Sequence, residues 1–109
     1  MPNERAGVLQ GTLDLMILQT LAMIGPQHGY AIAARLEQVS AGALQLNMGT
    51  LYPGLVRLAA KGWVQAEWKV TETNRRARFY SLTRAGWKQL EREKEEWRRT
   101  SSIMERILA

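Results

Sequence analysis

Three helical segments with apolar residues three and four apart open the chain. After Gly62 the pattern changes to alternation, and the C-terminus is one proline-free, charged helical segment of about 25 residues. Together these observations predict a mainly α fold with a small β-hairpin. Three helices, a hairpin and a further helix, in that order, make a winged helix-turn-helix with a C-terminal extension. Residues 1–82 form the compact part and residues 83–109 the long last helix. A chain of 109 residues is one domain by size, and a hydrophobic content of 46% supplies one modest core.

The first helix is read from Thr12 to Ile24, where Leu13, Met16, Ile17, Thr20, Leu21 and Ile24 share a face. Thr12 is its expected N-cap, and Asp14 lies in the first turn, where the helix dipole favours an anion. Gly25-Pro26 stops it. The second helix, Gly29 to Val39, turns Tyr30, Ile32, Ala33, Leu36 and Val39 toward the core, and Ser40 to Leu46 is a loop. Asn47 caps the third helix, which ends at the Lys61-Gly62 signal. Pro53 lies beyond its first turn and removes the hydrogen bond to the Gly49 carbonyl, so a bent or loosely wound opening is expected. Trp63 to Lys69 reads as a strand, Val70 to Ala77 as a polar connection with Asn74 at the turn, and Arg78 to Leu82 as the return strand. Thr83 caps the last helix, which runs to Leu108.

In the third helix Leu51, Leu55 and Leu58 mark the core face. Opposite them lie Gly49, Thr50, Pro53 and Arg57, with Tyr52 and Lys61 toward the flanks and Asn47 at the cap. A small, hydroxylated, basic face suits a DNA groove. Arg57 can grip phosphate or read guanine bidentately, and phosphate is the commoner partner. Tyr52 either packs on the wing strand or bonds a phosphate. The net charge is +5, and Arg75, Arg76 and Arg78 crowd three guanidinium groups into four residues. Such a cluster attracts phosphate by releasing condensed counterions, the alternative being a solubilising surface loop.

The last helix carries Trp87, Leu90, Trp97, Met104 and Leu108 at three-four spacing, broken by Lys94 and Ser101 and widened by Ile103 and Ile107. As a rod of roughly 37 Å it outreaches a head of this size. Its distal apolar residues call for a second copy, which makes residues 83–109 a dimerisation helix, unless the helix folds back. Two recognition helices related by a two-fold axis would read half-sites of a pseudo-palindromic operator in double-stranded DNA about 34 Å apart. Trp63 and Trp68 are expected to pack on the helices and Trp87 at the junction with the head. Trp97 either fills the dimer core or lines a pocket for a planar hydrophobic effector.

The sequence excludes much else. With one histidine, one aspartate and no cysteine, it offers no catalytic residues, no metal-ligand spacing and no thiolate site. It has no glycine-rich phosphate loop, and no cofactor is expected. Leu13 to Ile24 is too short and polar to span a bilayer, and Met1 to Arg5 are followed by no apolar run of the signal-peptide kind. A cytoplasmic protein is expected. Two other functions fit the same elements: a winged-helix protein-interaction module without DNA, and a small-molecule carrier built on the helix dimer.

Several ordered motifs sharpen the choice. Leu9-Gln10-Gly11-Thr12-Leu13-Asp14-Leu15 stands at the front, followed by His28-Gly29-Tyr30 and then by Gly49-Thr50-Leu51-Tyr52-Pro53 with Leu55, Arg57, Leu58 and Gly62. Arg75-Arg76 precede Tyr80, Leu82-Thr83 and Gly86. On these residues the sequence resembles a PadR-family transcriptional regulator, of the small subgroup with a single C-terminal helix. The resemblance covers nearly the whole chain. It implies a dimeric winged helix-turn-helix DNA binder, commonly a repressor, sometimes released by small aromatic or drug-like effectors. It also implies that the helix around Thr50, Tyr52 and Pro53 lies at the major groove and that the wing arginines reach phosphates or the neighbouring minor groove. The chain departs from the family at the wing tip, where Thr71-Glu72-Thr73-Asn74 stands in place of the usual glycines.

Overall fold

The computed structural model describes residues 2–109, with side chains from Thr12 onward. The elements are α1 (Pro2–Ile24), β1 (Gln27–His28), α2 (Gly29–Val39), α3 (Met48–Ala60), β2 (Val64–Val70), β3 (Arg76–Leu82) and α4 (Arg84–Leu108). This is the mainly helical, winged architecture that the sequence predicts. Expectations resting on Met1, and on the side chains before Thr12, lie outside the described residues.

Thr12 does not begin a helix, because α1 already runs through it from Pro2. Residues 3–11 hold no proline, so nothing in them removes a donor from the ladder, and a proline suits the first helical turn. Gly25 ends α1 in the left-handed region at φ 78°, its N–H donating to the Leu21 carbonyl at 3.0 Å. The chain then enters β1, too short to register as a periodic pattern. It pairs antiparallel with β3, Gln27 opposite Tyr80 and His28 opposite Phe79. The expected hairpin is therefore a three-stranded sheet ordered β1-β3-β2. β2 and β3 run antiparallel from Val64 opposite Leu82 to Val70 opposite Arg76, so the return strand starts at Arg76 rather than Arg78. Asn74, at φ 62°, makes the tight turn between them.

One core joins all the longer elements. Leu13, Ile17, Leu18 and Leu21 of α1 meet Ile32 of α2, Leu51, Leu55 and Leu58 of α3, Val64 and Tyr80 of the sheet, and Leu90 of α4. Fully burying a side chain of this size stabilises by about 1.5–3 kcal/mol. In α2 the buried residues are Gly29 and Ile32, whereas Tyr30 is 73% exposed and Val39 also faces outward. The Met48 side chain occupies the space a Cβ on Gly29 would need, and this close approach fixes the rotation of α2 that turns Tyr30 away.

Local capping sets the joints. His28 Nδ1 accepts from the Ala31 N–H at 3.3 Å, and Asn47 Oδ1 from the Thr50 N–H at 3.0 Å. Thr83 Oγ1 accepts from the Gly86 N–H at 3.0 Å and donates to the Gly62 carbonyl at 2.6 Å, so one hydroxyl ties the end of α3 to the start of α4. A Cβ at Gly86 would collide with the Trp63 carbonyl oxygen, which leaves room there for glycine alone.

The stripe on α4 divides into two parts. Leu90, expected at a dimer or ligand surface, is only 1% exposed and belongs to the chain's own core. The first turns of α4 pack on the head, so their apolar positions are covered before any partner arrives. Trp87 is half exposed, and Ile103, Met104, Ile107 and Leu108 are all exposed.

Candidate nucleic-acid interface

α3 presents two faces. Leu51, Gly54, Leu55 and Leu58 are buried. Gly54 permits the close approach to α1, since a Cβ there would stand 3.1 Å from Ile17 Cδ1 and 3.4 Å from Leu13 Cδ2. The outward face carries Gly49, Tyr52, Pro53, Val56 and Ala60, with Asn47 at its N-terminal end and Thr50 half-buried beside it. The helix runs unbroken through Pro53. The carbonyl deprived of its helical partner belongs to Gly49, an exposed residue.

Arg57 is not on that face. Its Nη2 donates to Asp14 Oδ1 of α1 at 2.5 Å, and both side chains are largely withdrawn from water. Position 57 lies one helical turn beyond Gly54, and Nη2 sits 3.7 Å from where a Gly54 Cβ would be, so the missing side chain makes room for the guanidinium. Reading Arg57 as an exposed groove contact is thereby corrected: its charge is committed to Asp14. Val56, which the sequence reading passed over, stands on the outward face instead. Lys61 is also elsewhere. It caps the other end of α3, about 21 Å along the axis from Asn47. Its Nζ lies over the Trp63 ring at 4.8 Å, and it lines a polar groove with Asp14, Gln89 and Glu93.

The wing brings its arginines together. Arg75 lies in the tip and Arg76 and Arg78 on β3, all exposed. The tip is braced by Thr71, whose N–H donates to the Arg75 carbonyl at 2.7 Å and whose Oγ1 accepts from the Arg75 N–H at 3.2 Å. Alternation places Arg76, Arg78, Tyr80 and Leu82 on one face of β3, opposite Val70, Trp68, Ala66 and Val64. The inner end of that face is core. The outer end is not, and Trp68, expected to pack on the helices, is 53% exposed. Trp63 does pack against the core. Among the described residues the ion pairs are Arg57–Asp14 and Lys94–Glu91, so no carboxylate among them neutralises the wing arginines.

Tyr80 joins the helix to the wing. Burial pushes its phenol above the usual tyrosine range, the nearby Tyr52 phenol adds to this, and Arg78 opposes it. Tyr52 of α3 and Arg78 of the wing thus both act on the same hydroxyl. The N-terminal half of the outward face and the wing arginines are both exposed.

A second concavity, of about 500 Å³, lies between α1, α2 and α4. Met16, Met23, Leu36, Val39 and Trp97 supply its apolar walls, and Arg35, Lys94 and Arg98 also line it. Gln19, in the same wall, has a buried Oε1 with no hydrogen-bond partner among the described residues. Trp97, 50% exposed, is therefore a wall between elements of its own chain. Among the described residues no cluster of histidine and carboxylate side chains is arranged to hold a metal, and no helix is long and apolar enough to cross a membrane.

Comparison with known proteins agrees with this geometry. A transcriptional regulator from Clostridium thermocellum has the same fold, with a TM-score of 0.83 at 27% identity over 92% of this chain and 96% of its own. A PadR family transcription regulator from hypervirulent Clostridium difficile gives a TM-score of 0.74 at 28% identity, covering 89% of this chain and 98% of its own. An uncharacterised 37.1 kDa protein in transposon TN4556 of Streptomyces fradiae is 45% identical over 80 residues, which is 73% of this chain and 21% of that protein. The chain thus spans about a fifth of the length of the curated relative it matches. The model of the PadR-like transcriptional regulators matches residues 17–92, from within α1 through α2, α3 and the sheet into α4. The chain belongs to the PadR-like family of transcriptional regulators.

Proposed function

We propose that this regulator binds double-stranded DNA as a homodimer, seating the outward face of α3 in the major groove and the wing arginines on the phosphate backbone. The observation that carries this reading is the cluster of three exposed wing arginines that no carboxylate among the described residues pairs, in a head that also leaves the small outward face of α3 exposed. Asn47, Gly49, Thr50, Tyr52, Pro53 and Val56 supply the groove contacts, and Arg75, Arg76 and Arg78 the backbone contacts. Residues 1–82 are the DNA-binding unit and residues 83–109 the dimerisation helix. The exposed Ile103, Met104, Ile107 and Leu108 form the apolar face that a second copy covers. Trp87 flanks that face nearer the head. The dimer works in the cytoplasm as a repressor on a pseudo-palindromic operator.

A planar hydrophobic effector, held against Trp97 in the groove between α1 and α4, releases it. Support for that step is the apolar lining and the Gln19 oxygen, which has no partner among the described residues and so invites a hydrogen-bond donor on the ligand. Selection of bound fragments from a random duplex library tests the whole reading. The expected product is an inverted repeat with half-sites about one helical turn apart. Failure to enrich any duplex would refute it.

A further inference from the structure

The wing carries an exposed indole that the core does not use. Trp68 of β2 stands directly opposite Arg78 of β3 and diagonal to Arg76, on the same face of the pair. The Arg76 guanidinium carbon lies 4.9 Å from the centre of its ring and that of Arg78 5.4 Å. Both are inside the range of about 6 Å at which an aromatic face attracts a cation. The opposite face of the sheet repeats the device, with Lys69 Nζ over the Phe79 ring at 5.7 Å. Two like charges two residues apart on one strand face repel, and no carboxylate among the described residues holds either arginine. The ring is what holds them.

A guanidinium laid on an aromatic ring keeps its N–H groups in the plane of its fork, pointing outward, where they match a phosphate bidentately. Such a side chain has already lost part of the rotamer freedom that a phosphate contact would otherwise remove on binding. We propose that Trp68 is a positioning residue of the DNA interface, its indole holding Arg76 and Arg78 in phosphate-ready orientation before DNA arrives. This rests on the DNA-binding reading above.

The inference separates charge from orientation, and binding as a function of salt measures both. In the full-length protein, Trp68→Ala removes no charge, so the slope of affinity against salt stays at the wild-type value while affinity falls about tenfold. The loss is the same on the selected operator and on random duplex, because phosphates carry no sequence. Trp68→Phe keeps a ring and binds within about threefold of wild type. Trp68→Leu keeps apolar bulk without a ring and behaves like Trp68→Ala. Arg78→Ala costs less affinity in the Trp68→Ala background than in wild type, since the two residues act as a unit. Wild-type affinity in Trp68→Ala, full binding by Trp68→Leu, or simple addition of the Trp68→Ala and Arg78→Ala losses would overturn the inference. A wild-type protein that binds no duplex at all would instead bring down the DNA-binding reading itself.

Discussion

The wing and the distal half of α4 both reach beyond the core, and they leave it with opposite chemistry. The wing carries arginines without carboxylate partners among the described residues, and the exposed indole of Trp68 lies against two of them. The distal helix exposes Ile103, Met104, Ile107 and Leu108 in a row. A bare apolar stripe is stabilised by another apolar surface, and a bare basic cluster by a polyanion. The two projections therefore call for different partners, and neither partner competes for the surface the other uses.

Gly86→Ala is the change that should break both at once, because the wing root and the start of α4 meet at that glycine. The collision with the Trp63 carbonyl is expected to destabilise on the order of 4 kcal/mol or more. Thermal unfolding checks this, with Tm falling by about 15 °C or more. Replacing Arg75, Arg76 and Arg78 together by Ala should weaken DNA binding about a hundredfold or more and lower the salt slope by about 2 to 3, with the assembly state unchanged. The reverse selectivity is expected of Ile103→Glu/Ile107→Glu. Sedimentation at micromolar concentration should show monomers, with operator affinity lost and weak binding to random duplex kept.

Asp14→Asn strips Arg57 of its anionic partner and should cost about 2 kcal/mol in a denaturant titration, leaving dimerisation intact. Tyr80 gives the smallest effect. Its folded pKa is raised, so the stability linked to its protonated form is fully present below the usual tyrosine value and lost as pH climbs through the folded value. Tyr80→Phe should flatten the alkaline fall of stability between pH 8 and pH 11, measured by urea unfolding.

What could be read from the sequence was local. Asn47 and Thr83 declared themselves as caps because each hydroxyl or amide oxygen serves an N–H only three residues on. Asn74 and Gly62 marked turns through their own backbone angles. The misreadings share another cause, which is distance along the chain. β1 is two residues long, and its partners Phe79 and Tyr80 lie in the last strand. Arg57 looked exposed on a helical wheel because Asp14, its partner, is on α1 and becomes a neighbour only once Gly54 lets the helices close. Leu90 reads as one more position of the distal stripe until α1 is seen to lie against it. For Trp68 the sequence held a usable signal. The strand pairing that sets it beside Arg78 follows from the Asn74 turn.

His28 carries the longest consequence. Its Nδ1 caps the start of α2, its backbone belongs to the sheet, and its ring meets Phe79 edge-on at 5.3 Å. One residue is thus bolted to both the scaffold helix and the wing. The sheet and the first turn of α2 therefore share an anchor, and the later residues Arg35, Leu36 and Val39 of that helix wall the groove beside Trp97. The joint is set within one residue, so a substitution at His28 removes the α2 cap and the edge-on contact with Phe79 in a single step.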